Sequence, residues 1–190
     1  MATLILLVVI AVIVLWVIGA YNGLIAAKNQ VANAWKQIDV QLKRRHDLIP
    51  NLVNTVKGAM EFEKGTLEAV IAARNKAVSA TGVKQTAQAE GELTQALGRL
   101  FALTEAYPDL KANQNVLQLQ EELTSTENKV GFARQLYNDV ATQYNTKQAT
   151  FPTLLVAGLA KAQPAELWEI ENAAERAVPT VDLSFNKPAQ

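Results

Sequence analysis

Apolar residues run unbroken from Leu4 to Ala20 (LILLVVIAVIVLWVIGA), and beyond Tyr21 the pattern changes from solid to striped. As a helix rising ~1.5 Å per residue the run covers about 25 Å, and the residues flanking it extend this to the ~30 Å of a bilayer's hydrocarbon core. Leu, Ile and Val each favour insertion by roughly 0.3 to 0.6 kcal/mol near the centre, and no charge opposes them. Residues 1–20 are therefore predicted to form a transmembrane anchor, with Trp16 and Tyr21 near one end at the level of the headgroups. From there Leu24, Val31, Trp35, Ile38 and Leu42 recur at helical spacing, which predicts a helix over 21–46 with a single apolar stripe. No capping signal separates this helix from the run. The two are expected to form one rod.

Pro50 is predicted to interrupt that rod with a kink or tight turn over 46–50, because its ring clashes with the carbonyl of His46. A second stripe (Leu52, Val53, Val56, Met60, Leu67, Val70, Ile71, Val78) predicts a helix to about Ala80, stopped by Thr81-Gly82. Leu93, Leu97, Leu100 and Phe101 predict a third helix over 86–106, ended by Pro108. Val116, Leu119, Leu123, Val130, Ala133, Tyr137, Val140 and Tyr144 predict the longest over 110–150, ended by Pro152. The patch TLLVAGLA after it is too short to span a bilayer. It is expected to pack on the bundle, with an interfacial position on the membrane as the alternative. The stretch 178–190 holds two prolines and alternates Val181, Leu183 and Phe185, which predicts an extended tail.

Long helices with single stripes must bury them against one another. The predicted fold is all-α: an N-terminal transmembrane helix continuing into an antiparallel up-and-down bundle of about four long helices. The organisation expected is anchor 1–20, bundle 21–150, a C-terminal apolar helical segment 151–177 and tail 178–190.

Composition narrows the function. Eighteen basic and eighteen acidic residues give no net charge, so no overall field recruits nucleic acid. With no cysteine there is no thiolate nucleophile and no disulfide. A cleaved signal peptide would need a basic n-region and small residues before the cut, whereas no Lys or Arg precedes the run and Ile18 lies two positions before Ala20. Only Lys28 and Lys36 lie close enough downstream to orient the span, which favours a cytoplasmic body.

Candidate chemistry is sparse. Lys43, Arg44, Arg45 and His46 form the densest cationic cluster; they are a candidate docking patch for an acidic partner or phosphate groups, set against the favoured, purely structural reading of a helix end with Asp47 capping the next helix. Glu61, Glu63, Glu90, Glu92, Glu121, Glu122 and Glu127 suggest a carboxylate-bound metal pair, but no Glu has a His three residues on and His46 is the only histidine. No G-x-S-x-G, Gly-rich phosphate loop or H-E-x-x-H is present. No metal, cofactor or catalytic residue is expected. Gly19, Gly23 and Ala27 follow a small-xxx-small spacing that would let two helices approach closely at the membrane exit.

Several runs are specific enough to carry a resemblance: Tyr21-Asn22-Gly23-Leu24, Ala34-Trp35, Gln37 through Val53 (QIDVQLKRRHDLIPNLV), Thr55-Val56-Lys57-Gly58, Glu105 through Asn113 (EAYPDLKAN), Leu119 through Leu123 (LQEEL), Tyr137-Asn138, Tyr144-Asn145 and Phe151-Pro152. In this order, over about 21–152, they resemble the LemA family of bacterial membrane proteins. The resemblance implies an N-terminal anchor, a helical bundle mostly in the cytoplasm, an inner-membrane location and no established activity. A relative associated with building magnetosome membranes suggests membrane organisation. Two positions depart from the pattern: Ala59 stands where an aromatic is common, and Phe62-Glu63 where a His-Glu pair is frequent. The expected function is a non-enzymatic, membrane-anchored bundle that forms homo-oligomers and organises the bilayer or an unidentified protein partner. The alternative is a monomeric tethered adaptor for a membrane protease or signalling protein.

Overall fold

A computed structural model describes residues 1–169, and every regular element in that stretch is helical. Helix α1 (Ala2–Val56) runs for 55 residues, about 83 Å, with no break between the apolar run and the striped part. The expected rod is thus one helix. Its N-terminal portion is long and apolar enough to cross a membrane, and none of that window is buried in the protein.

Pro50 does not end the helix, contrary to expectation. Proline lacks the N–H that would bond the His46 carbonyl, leaving a buried acceptor without its partner. Arg74 supplies the missing donor: its Nε lies 3.2 Å from that oxygen. The helix therefore continues to Val56 and buries Ile49, Leu52, Val53 and Val56. The turn falls at 57–60, beside Gly58, and a 3-10 turn (Glu61–Glu63) leads into α2 (Lys64–Ser79). What reads as one helix over 52–80 is thus the end of α1 and a separate α2.

The stop at Thr81-Gly82 is observed. Gly82 has φ +77, a left-handed conformation that a Cβ disfavours, and it begins α3 (Val83–Thr104). Pro108 opens the single-turn α4 (Pro108–Lys111), where its missing N–H costs nothing. The long fourth helix starts later than expected, as α5 (Gln114–Ala149). Asn113 sets that start: its side chain accepts from the backbone N–H groups of Asn115 and Val116 at 2.9 and 3.4 Å. The TLLVAGLA patch contributes one turn, α6 (Leu154–Ala157), whose Val156 is buried against the body. The predicted tail over 178–190 and the end of the 151–177 segment lie outside the described residues.

Packing divides the body into two regions. In the head, farthest from the apolar run, the α2–α3 hairpin closes on the ends of α1 and α5. Ile49, Leu52, Val56, Val70, Leu93 and Leu100 form its fully buried centre. In the stalk α1 and α5 run side by side, antiparallel, with Ala34, Ile38 and Leu42 against Val130, Tyr137 and Ala141, and of the hairpin the first turns of α3 reach them, through Val83 and Ala87. Two helices alone leave much of their stripes open to water. A third layer covers them: residues 162–169, without helix, run back along α5 and bury Trp168 between Trp35 and Arg134. Nearest the membrane run, Leu24, Tyr144 and Ala160 close the stalk.

The returning strap is held by side-chain amides that imitate a strand partner. Asn145 Nδ2 donates to the Ala165 carbonyl at 2.9 Å while its Oδ1 accepts from the Ala165 N–H at 2.8 Å. Asn138 treats Trp168 in the same way, at 3.0 and 2.8 Å. The spacings match: seven helical residues advance about 10.5 Å and three extended ones about 10 Å. Tyr137 Oη adds a hydrogen bond to the Glu166 carbonyl at 2.6 Å.

Candidate functional site

The cationic run on α1 is split by the helix turn. Lys43 and Arg44 point to solvent, while Arg45 and His46 lie on the side of α1 that carries Leu42 and Ile49 and are buried. Lys43 Nζ lies 2.7 Å from Asp47, a pair within one helix. That hydrogen bond holds the Asp47 carboxyl below its ordinary value. Asp47 sits inside α1 and caps no helix, because the helix does not end there.

Arg45 enters the junction of three helices. Its Nη1 is 2.8 Å from Glu90 Oε2 on α3, its other terminal nitrogen 2.8 Å from Thr94 Oγ1 and 2.7 Å from Glu127 Oε2 on α5. The Glu127 contact is an ion pair whose angles fall outside a hydrogen bond. His46 Nε2 is 2.6 Å from the second Glu90 oxygen, and a carboxylate accepting there places the ring proton on Nε2. One guanidinium and one imidazole thus satisfy both oxygens of Glu90. The cluster sits where stalk becomes head and ties α1, α3 and α5 together.

This narrows the candidate docking patch. Arg45 and His46 are spent inside the fold, so only Lys43 and Arg44 remain on the surface, and Arg44 alone of the two makes no ion pair among the described residues. The small-residue positions are divided too. Gly23 and Ala27 face their own chain: Lys147 Nζ donates to the Gly23 carbonyl at 2.9 Å, and Ala27 packs on the Leu24 cluster. A Cβ on Gly23 would meet that Nζ at 2.9 Å, so the glycine leaves room for the end of the Lys147 side chain. Gly19 is exposed with nothing within 4 Å of where a Cβ would stand.

Of the carboxylates considered as metal ligands, Glu90 and Glu127 are engaged by Arg45, and Glu92 pairs with Lys76 of α2 at 2.7 Å. Among the described residues no group of three or more carboxylate, His or Cys side chains is placed to share a metal. The strap contacts of Asn138 and Asn145 went unread as contacts, although a signal exists: Tyr-Asn recurs at 137–138 and 144–145, seven residues apart, which puts both pairs on one helix face.

The remaining surface feature is apolar. Val40 on α1 is 65% exposed and Phe132 on α5 73%, and with Leu136 they line an open groove between the two helices, flanked by Lys36 and Lys129.

Fold and site together define an all-helical protein whose first helix suits a membrane and whose internal charges hold helices in place. The LemA family model matches residues 34–183. Protein LemA of Metamycoplasma hominis is 32% identical over 142 residues, 74% of this chain and 64% of that protein. Magnetosome proteins MamQ 1 and MamQ 2 of Paramagnetospirillum magneticum are each 28% identical over 102 residues, 54% of this chain and 38% of theirs. The chain belongs to the LemA family, and its alignments span less than two thirds of the length of these curated relatives.

Proposed function

We propose that this protein is a non-enzymatic membrane scaffold: α1 anchors it, and copies assemble side by side through the Val40–Phe132–Leu136 surface to organise the bilayer around them. The groove between α1 and α5 carries this reading, because two large apolar side chains on adjacent helices stand open to solvent. The occupant is a second copy. Copies tethered by the same rod present this groove at the same height, about 30 Å beyond Ala20, and confinement to one bilayer raises their effective concentration. Two relatives named as magnetosome proteins point the same way. The body lies on the cytoplasmic side, following Lys28 and Lys36.

The test is the mass of the full-length protein in mild detergent and in nanodiscs, by light scattering and electron microscopy. Assemblies larger than one copy that dissociate in Phe132→Asp support the scaffold. A monodisperse single copy overturns it in favour of a monomeric adaptor that offers the groove to another protein. A reporter fused after Gln190 that is active only when exported would reverse the orientation.

A further inference from the structure

The loop joining α5 to the strap stands at the level where α1 leaves its apolar run. Lys147 at the end of α5 reaches the Gly23 carbonyl, and Ala160 packs on Leu24. From Lys147, α5 runs on toward the apolar run by about 3 Å to Ala149, which brings the end of α5 to about the level of Tyr21. The loop then presents Phe151 (79% exposed), Leu154, Leu155 (67%) and Leu159 (70%) outward, while Val156 and Ala160 face the body. Apolar side chains thus point both ways from one short loop. The inner set is explained by the stalk; the outer set stands on a turn packed beside α1, just beyond the exposed apolar run of that helix.

Charge around the loop is of one sign. From Val140 to Ala165 the only ionised side chains are Lys147 and Lys161, and on α1 the first acidic residue is Asp39, beyond Lys28 and Lys36. An apolar tip rimmed by lysines complements anionic headgroups lying over hydrocarbon.

We infer that residues 151–160 are a second membrane contact, which inserts Phe151, Leu154, Leu155 and Leu159 at the headgroup–acyl boundary of the leaflet from which α1 emerges, with Lys147 and Lys161 on anionic lipid phosphates. The inference rests on the reading of α1 as a membrane span. A single helix leaves the body free to tilt and to rotate about its axis. A second contact beside it restrains the tilt, so every copy holds its α1–α5 groove at the same height above the bilayer.

The chain has no cysteine, so single substitutions can be labelled without background. Ile10→Cys, Leu155→Cys and Leu117→Cys, each carrying an environment-sensitive fluorophore, would be reconstituted as full-length protein in vesicles of phosphatidylcholine with one quarter phosphatidylglycerol. Quenchers would be placed at shallow and deep positions on the lipid chains. The expected result is blue-shifted emission at Leu155→Cys, lost to the shallow quencher more than to the deep one, deep quenching at Ile10→Cys, and emission in the head at Leu117→Cys that lipid quenchers leave unchanged. Quenching at Ile10→Cys without quenching at Leu155→Cys overturns the inference and leaves the span intact. A blue shift at Leu155→Cys that lipid quenchers do not touch also overturns it, assigning the tip to protein contact. Failure to quench Ile10→Cys removes the span and the second contact together. Charge complementarity is tested separately: in Lys147→Gln with Lys161→Gln the shallow quenching should weaken in anionic vesicles and change little in pure phosphatidylcholine.

Discussion

Head and stalk share α1 and α5 but hold them together by different means. In the head two further helices complete an aliphatic core, and the polar groups trapped at its base are neutralised by Arg45 between Glu90 and Glu127. In the stalk, among the described residues, a further helix reaches the pair through the first turns of α3, by Val83 and Ala87, and an eight-residue strap with aromatic and amide contacts covers the same two stripes. The contrast shows how one long helix pair can be closed twice. Where helices supply the cover, apolar side chains suffice, because their backbones are internally bonded. Where a non-helical segment supplies it, the unpaired N–H and C=O groups must find partners, and Asn138 and Asn145 provide them.

The largest expected effect tests the head. Arg45→Met leaves Glu90 and Glu127 without their cation and should cost about 3–5 kcal/mol in denaturant unfolding of the detergent-solubilised full chain. Adding Glu90→Gln should recover part of that loss; unchanged stability in the single variant would mean the cluster does not hold the head. Trp168→Ala should cost roughly 3 kcal/mol, but locally. Hydrogen exchange should rise across 34–42 and 133–141 while the amides of α2 and α3 stay protected, and equal loosening of both regions would break the division into head and stalk.

Asn138→Ala and Asn145→Ala each remove two strap hydrogen bonds and orphan backbone groups, for about 1–3 kcal/mol apiece, read as faster proteolysis beyond residue 160. Alkali should sharpen the contrast further. Burial, and then the charge of Glu166, raise the Tyr137 phenol above its ordinary value of 10.0, so the fold favours its protonated form. That contribution is complete below pH 10 and is lost as pH rises through the raised value, where phenolate would face the Glu166 carbonyl. Tyr137→Phe should remove this component of alkaline loosening, as followed by strap proteolysis against pH. Gly23→Ala should have the smallest effect, within about 1 kcal/mol of zero: the helix gains propensity, and the atom its Cβ would meet is the far end of the flexible Lys147 side chain.

Much of this was legible in the order of residues. The uncapped passage from Leu4 through Leu42 foretold one rod, and the stripes foretold which faces are buried. Thr81-Gly82 foretold a stop because the required left-handed backbone is local to the glycine. Pro50 was misleading for the opposite reason. Whether a proline ends a helix depends on what satisfies the carbonyl it deprives, and here that donor is Arg74 on another helix, 28 residues on. Asn113 and Asn145 show the same limit from both sides: the first acts on its own neighbours as a cap, the second on a segment 20 residues further along the chain.

By itself, then, the sequence determined the apolar run, the all-helical class, the faces that must be buried and the family to which the chain belongs, because periodicity and local backbone preference are properties of neighbours. Only the tertiary structure decided that Arg45 and His46 point inward, that Gly23 and Ala27 serve their own chain, and that the bundle thins to a strapped pair near the membrane run. Each of those outcomes depends on which distant group arrives to satisfy a charge, a carbonyl or an exposed stripe, and such partners are chosen by packing in three dimensions.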